Sequence, residues 1–182
     1  MTEPDERDLA ERAARGDLEA FAALIRAHQA QVFNVALRML GERREAEDAT
    51  QDAFVRAFRS FGHFDLRLPP GPWLKKIAVN VCLDRLERRA ERSLDEETAQ
   101  VQVDPAPAPS VRAEQDERTR RIRQELSRLP PRYRAAIELR HYQGLSYAEM
   151  AEALGRPLSD VKSDLFRARK LLAERLLDLK EP

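Results

Sequence analysis

Lys162, Ser163, Phe166, Arg167, Arg169 and Lys170 fall within nine residues near the C-terminus. If Val161, Leu165, Ala168 and Leu172 form the inward stripe of a helix, these six side chains face outward. Such a face is suited to reading nucleic acid. A major groove admits one helix, and Arg or Lys in it can donate to guanine O6 and N7. Phe166 could touch a thymine methyl or pack on sugar. The preceding residues supply the support. Ser146-Tyr147-Ala148-Glu149 is a capping box, in which Ser and Glu each bond an otherwise free amide at a helix start. That helix ends at Leu154, Gly155-Arg156-Pro157-Leu158 makes the turn, and Ser159 is placed to cap the next helix. Met150, Ala151, Leu154 and Leu158 fit the packing between the two. Two helices joined by a tight turn with Gly, the second one basic, form the helix-turn-helix pattern. The competing reading is a solvated basic face on an ordinary bundle.

A second constellation lies in the first half. Lys76, Asn80 and Asp84 are spaced i, i+4, i+8 and so share a helix face, with Trp73 starting that helix. Lys75, Arg85, Arg88, Arg89 and Arg92 add phosphate-binding capacity. With the neighbouring irregular loop and its Phe64, this surface could hold single-stranded DNA and an unstacked base. Trp73 as core and Asn80 as a solvated amide are the plain alternatives. Little else is chemically suggestive. His28, His63 and His141 lack metal-ligand spacing, the single Cys82 sits among apolar residues with no obvious base, and no Gly-rich phosphate loop occurs. No metal, cofactor or catalytic group is expected.

The elements that must position these residues read as helices. A short one near Asp5–Ala14 precedes a long one capped by Asp17 and closed by Gly41, with the stripe Phe21, Ile25, His28, Val32, Val35, Ala36 and Met39. Another spans about Arg44 to Phe61. Its apolar face is Ala46, Ala49, Ala53, Phe54, Ala57, Phe58 and Phe61, and its polar face includes Glu47, Asp48, Gln51, Asp52, Arg56 and Arg59. Residues 62–72, with three prolines and two glycines, are expected to be irregular. A helix follows from Trp73 to about Arg92 on Leu74, Ile77, Ala78 and Val81. Residues 93–111 hold several acids, a run of alternating Pro and no aromatic, as an extended linker would. Four helices are then expected at about 112–128, 132–143, 146–154 and 159–179.

Charge follows the same divisions. The chain holds 32 basic and 32 acidic side chains in 182 residues, yet it alternates in blocks. The balance is −4 over residues 1–65, +4 over 66–93, −6 over 94–117 and +6 over 118–182. Blocks of one sign indicate separate surfaces with separate partners. No apolar run approaches the ~18 residues of a membrane span, and the acidic N-terminus is unlike a signal peptide. A soluble cytoplasmic protein is expected.

Four stretches in this order resemble bacterial RNA polymerase sigma factors of the sigma-70 family, extracytoplasmic function (ECF) subfamily. They are GDLEAFAALIRAHQAQVFNVALRMLG, AEDATQDAFVRAF, WLKKIAVNVCLDRLERR and LPPRYRAAIELRHYQGLSYAEMAEALGRPLSDVKSDLFRARKLL. The resemblance implies an all-α chain of two small helical domains joined by a flexible linker, the second a helix-turn-helix bundle without a wing. Residues 1–93 are then the domain that docks on core polymerase and recognises and melts the −10 element. Residues 94–111 are the acidic Pro-rich linker, and residues 112–182 recognise the −35 element.

By position, Asp48, Gln51 and Asp52 resemble the surface that docks on the polymerase clamp. Phe64 resembles the pocket for a flipped base, and Trp73, Lys76, Asn80 and Arg85 the −10 helix. Lys162, Ser163, Phe166 and Arg167 resemble the −35 reading positions, with Arg169 and Lys170 nearer the DNA backbone. The partners implied are core RNA polymerase through its clamp and beta flap, promoter DNA, and an anti-sigma factor. Two departures stand out: Asp164 where the family often has a basic residue, and Ser159-Asp160 where it usually has Gly-Thr. A carboxylate beside phosphates is repulsive unless it pairs with Arg167 or accepts from cytosine N4. The alternative function is a free-standing helix-turn-helix regulator with an N-terminal sensor or dimerisation domain.

Overall fold

The computed structural model describes residues 5–95 and 113–177, and every regular element among them is helical. Helix α1 (Glu6–Ala14) leads into α2 (Leu18–Leu40), α3 (Arg43–Ser60) and α4 (Pro70–Asp95). The second half holds α5 (Ala113–Ser127), α6 (Pro131–Ile137), α7 (Tyr147–Leu154) and α8 (Leu158–Arg175), with α6 running on into a π-helical turn at Glu138–Tyr142. The linker expected over 94–111 falls almost wholly outside the described residues.

Local chemistry sets the helix ends. Asp17 accepts from the Ala20 amide at 3.0 Å and is held in turn by Arg12 at 2.7 Å, so it caps α2 while tying α1 to it. Gly41 closes α2 at φ 81°, a left-handed conformation that a Cβ disfavours. Helix α4 corrects the sequence reading, because it begins at Pro70 rather than Trp73. Prolines are tolerated in the first turn, where backbone amides have no partner within the helix. Gly71 there packs against His28 of α2, and a Cβ at this position would lie 2.8 Å from His28 Cε1. The buried His28 ring lies with Nε2 3.2 Å from Glu6, within ion-pair distance but without hydrogen-bond geometry.

Helices α2, α3 and α4 pack as a bundle around Leu24, Val32, Val35, Met39, Ala53 and Val81. The α3 face is narrower than expected: Ala46, Ala49, Ala53 and Ala57 are buried, but Phe58 is 53% exposed. The small alanines let the helices approach closely. At one end Phe61, Phe64 and Trp73 form an aromatic cluster, with centroids 5.4 Å apart for Phe61–Phe64 and 4.8 Å for Phe64–Trp73. In the second half, Leu129, Leu139, Met150, Val161, Leu165 and Ala168 make the core on which α7 and α8 sit.

The two halves touch. Arg38 of α2 donates Nε and Nη2 to the buried Glu138 carboxylate at 2.8 and 2.7 Å, and its guanidinium lies 4.5 Å from the Tyr142 ring centroid. Arg134 donates to the Met39 carbonyl, and Asn80 Nδ2 donates to the Ala153 carbonyl of α7 at 2.8 Å.

Candidate nucleic-acid interface

The helix-turn-helix forms as its residues require. Glu149 N donates to Ser146 Oγ at 3.2 Å and Ser146 N to Glu149 Oε2 at 2.7 Å, completing the capping box. That bonding holds the Glu149 carboxyl below its usual range. Gly155 ends α7 at φ 59°. Ser159 is not the next cap. Helix α8 starts one residue earlier, with Pro157 at the cap position and no side-chain cap bond, and Leu158 is exposed rather than packed. Helix α8 is anchored through its inner face instead: Val161, Leu165 and Ala168 are fully buried.

Its outer face carries the predicted set. Lys162, Phe166, Arg167, Arg169 and Lys170 are exposed, Phe166 at 69%, and Ser163 is half-buried. Phe166 is therefore not part of the core formed by the described residues. Asp164 behaves differently from the sequence expectation. It is buried, and its carboxylate accepts from Arg156 in the turn rather than from Arg167. The carboxylate staples the turn to α8 and is withdrawn from any phosphate on the outer face.

The α4 surface is assembled only in part. Lys76 and Asn80 are half-buried on the side facing α7, and Asn80 is engaged by Ala153. Arg85 pairs with Asp52, Arg89 with Glu45, and Arg56 with Asp84 at 2.9 Å, lining a cleft between α3 and α4. Asp52 and Arg85, expected to serve two different partners, therefore satisfy each other. Asp48 and Gln51 remain exposed on α3. Phe64 is buried against Trp73 and Phe61. Trp73 is half-buried at the edge of that cluster.

Three features escaped sequence reasoning: the Arg38–Glu138 pair, the Arg156–Asp164 staple, and the neighbours of the α8 cations. Lys162 Nζ lies 5.6 Å from the Tyr147 ring centroid, and Arg169 Nε donates to His141 Nε2 at 3.2 Å. Cys82 is buried, which pushes its thiol up to about 12, and no group of His, Cys, Asp and Glu able to hold a metal occurs among the described residues. Among them, too, no helix is long and apolar enough to cross a membrane.

Residues 24–92 match the Sigma-70 region 2 family and residues 119–172 match Sigma-70, region 4. ECF RNA polymerase sigma factor SigW of Bacillus subtilis is 32% identical over 174 residues, covering 91% of this chain and 93% of that protein. ECF RNA polymerase sigma factor SigM of Mycobacterium tuberculosis H37Rv is 37% identical, covering 88% and 79%. The solved structure of CnrH in complex with the cytosolic domain of CnrY superposes with a TM-score of 0.63 at 28% identity, covering 97% of this chain and 99% of that one. The sigma factor RpoE bound to the anti-sigma factor NepR, from Bartonella quintana, shares the fold at a TM-score of 0.64 and 23% identity, covering 88% and 98%. The chain belongs to the ECF sigma factors of the sigma-70 family and directs promoter-specific transcription initiation. The regulator with a sensor domain is not favoured, since region 2 fills the N-terminal half.

Proposed function

We propose that residues 1–93 dock on core RNA polymerase and recognise and melt the −10 element, that residues 94–111 act as the acidic linker, and that residues 112–182 read the −35 element. The observation that carries this reading is the outer face of α8, which sets Lys162, Phe166, Arg167, Arg169 and Lys170 outward on a capped helix-turn-helix. Asp48 and Gln51 form the docking surface for the clamp, with Asp52 joining them when Arg85 is drawn to DNA. An acidic helix face speeds association with a basic partner surface. Trp73, Lys76, Asn80 and Arg85 serve the −10 element, and Phe64 serves it once the aromatic cluster opens. The beta flap is the second contact on core polymerase, and an anti-sigma factor is the regulatory partner. The protein acts in the cytoplasm, without catalysis of its own.

Run-off transcription with purified core polymerase on a genomic fragment library tests this reading. Discrete promoter-specific transcripts are expected. A preparation that binds DNA but yields none refutes it. On a promoter so recovered, Lys162→Ala and Arg167→Ala should each cost about 1–3 kcal/mol if they make bidentate base contacts. Equal losses on all promoters would mean phosphate contacts instead.

A further inference from the structure

The cations of this protein are held in two different ways. On α4 they meet carboxylates: Arg85 meets Asp52 and Arg89 meets Glu45. On the outer face of α8 two of them, Lys162 and Arg169, meet neutral groups. The Lys162 ammonium lies over the Tyr147 ring at 5.6 Å, and Arg169 donates to the His141 imidazole at 3.2 Å. The nearby Tyr133 hydroxyl is the chief reason the Arg167 guanidinium is raised above its ordinary value, with Asp164 adding a smaller attraction. None of Lys162, Arg167 and Arg169 forms a salt bridge among the described residues, and two carboxylates of α8, Asp160 and Asp164, both face Arg156.

This difference matters for binding a polyanion. A carboxylate partner fixes a cation's direction but cancels its field, and the pair must break before a phosphate or base can be bound. An aromatic face attracts the ammonium through its quadrupole and leaves the unit charge in place. A neutral imidazole nitrogen accepts one guanidinium N–H and leaves the others free. Both partners come from elements that are themselves fixed. Tyr147 is half-buried as the first residue of α7, directly after the Ser146 cap, and Arg140 lies against the same ring at 5.2 Å. His141 belongs to the π-helical turn, whose preceding residues Glu138 and Leu139 are buried.

We propose that Tyr147 and His141 are positioning residues of the −35 interface, aiming Lys162 and Arg169 through a ring face and a neutral nitrogen without neutralising them. The proposal rests on α8 being the −35 helix, and the test separates the two. Full-length protein is assembled with core polymerase, and open-complex formation is measured on a promoter recovered by run-off transcription and on the same fragment with its −35 element scrambled. If the wild type does not discriminate between them, the −35 assignment itself fails. If it does, Tyr147→Leu should lower discrimination about two- to fivefold, the range for a cation–π contact at an exposed site. Tyr147→Phe should restore it, since the ring face remains. His141→Leu should reduce discrimination, and His141→Gln, which keeps an acceptor, should recover part of it.

Loss of fold is separated from loss of aim by a double-mutant cycle. In a Lys162→Ala background, Tyr147→Leu should cause no further loss. Additive losses, an unchanged Tyr147→Leu variant, or a Tyr147→Phe variant as poor as the Leu one would overturn the proposal. The last outcome would mean that the tyrosine hydroxyl itself contacts DNA.

Discussion

Arg38 offers the most direct perturbation of how the two halves meet. Its guanidinium makes two short bonds, 2.8 and 2.7 Å, to a Glu138 carboxylate whose side chain is only 3% exposed. Hydrogen bonding to Glu138 is the main reason the Arg38 guanidinium is raised above its ordinary value. Arg38→Ala removes both bonds and leaves the carboxylate buried without a cation in the closed form. Separation of the halves returns Glu138 to water, so the penalty falls on the closed form alone. Hydrogen bonds to a charged group contribute roughly 1.5–3 kcal/mol net, which shifts the closed-to-open ratio by about ten- to 150-fold. Dyes at Glu19→Cys and Glu174→Cys, both exposed positions on opposite halves, report the separation by energy transfer. The native Cys82 can stay, because its buried thiol is pushed up to about 12 and does not compete for label. Arg38→Ala should lower the transfer efficiency of the free protein. Because opening also frees Asn80 from the Ala153 carbonyl, it should speed association with core polymerase and −10 DNA. Equal transfer in variant and wild type would refute the assignment of Arg38–Glu138 as the contact that closes the chain.

Other perturbations follow from single contacts. Asp164→Ala should destabilise the C-terminal half by about 1–3 kcal/mol in thermal unfolding, since it leaves Arg156 only the more distant Asp160 at 3.8 Å; tighter DNA binding with no loss of stability would mean that the carboxylate instead repels phosphate. Gly71→Ala brings a Cβ to 2.8 Å from His28 Cε1 and should cost about 1–3 kcal/mol in urea unfolding, with equal stability contradicting the close approach of α4 to α2. His141 is lowered from its ordinary 6.5, first by burial and then by Arg169 and Arg140. Because the folded value lies below the unfolded one, its contribution is fully present above pH 6.5 and is lost as pH falls from there through the lower folded value, and His141→Gln should flatten this part of the stability profile.

Helix positions were legible in the sequence because they depend on local signals. The Asp17 cap, the Gly41 stop and the Ser146–Glu149 box each act within four residues, and each forms as read. The start of α4 was misread for an equally local reason: Pro70, Gly71 and Pro72 look like breakers until they are placed in a first turn that has no use for their amides. Pro157 was missed at the start of α8 in the same way, with Ser159 taken for the cap.

Pairing across helices was not legible, and it decides what each charge can do. Asp52 and Arg85 stand 33 residues apart and Arg38 and Glu138 stand 100 apart, and no periodicity links them. The block charges of +4 and +6 therefore overstate the similarity of the two basic surfaces. On α4, Arg85 and Arg89 are matched by the α3 carboxylates Asp52 and Glu45, so these two cations are exchanged between an internal partner and an external one. Lys162 and Arg169 on the outer face of α8 have no carboxylate to give up among the described residues. The consequence is a difference in salt response. Each α8 cation bound to phosphate releases a counterion and adds about 0.9 to the slope of log affinity against log salt, whereas an α4 arginine that trades Asp52 for phosphate adds less, because its charge was already compensated. Arg169→Ala should therefore reduce the salt slope of promoter binding more than Arg85→Ala does, measured on the same holoenzyme and fragment. Equal reductions would show that the Asp52–Arg85 pair does not persist in the free protein.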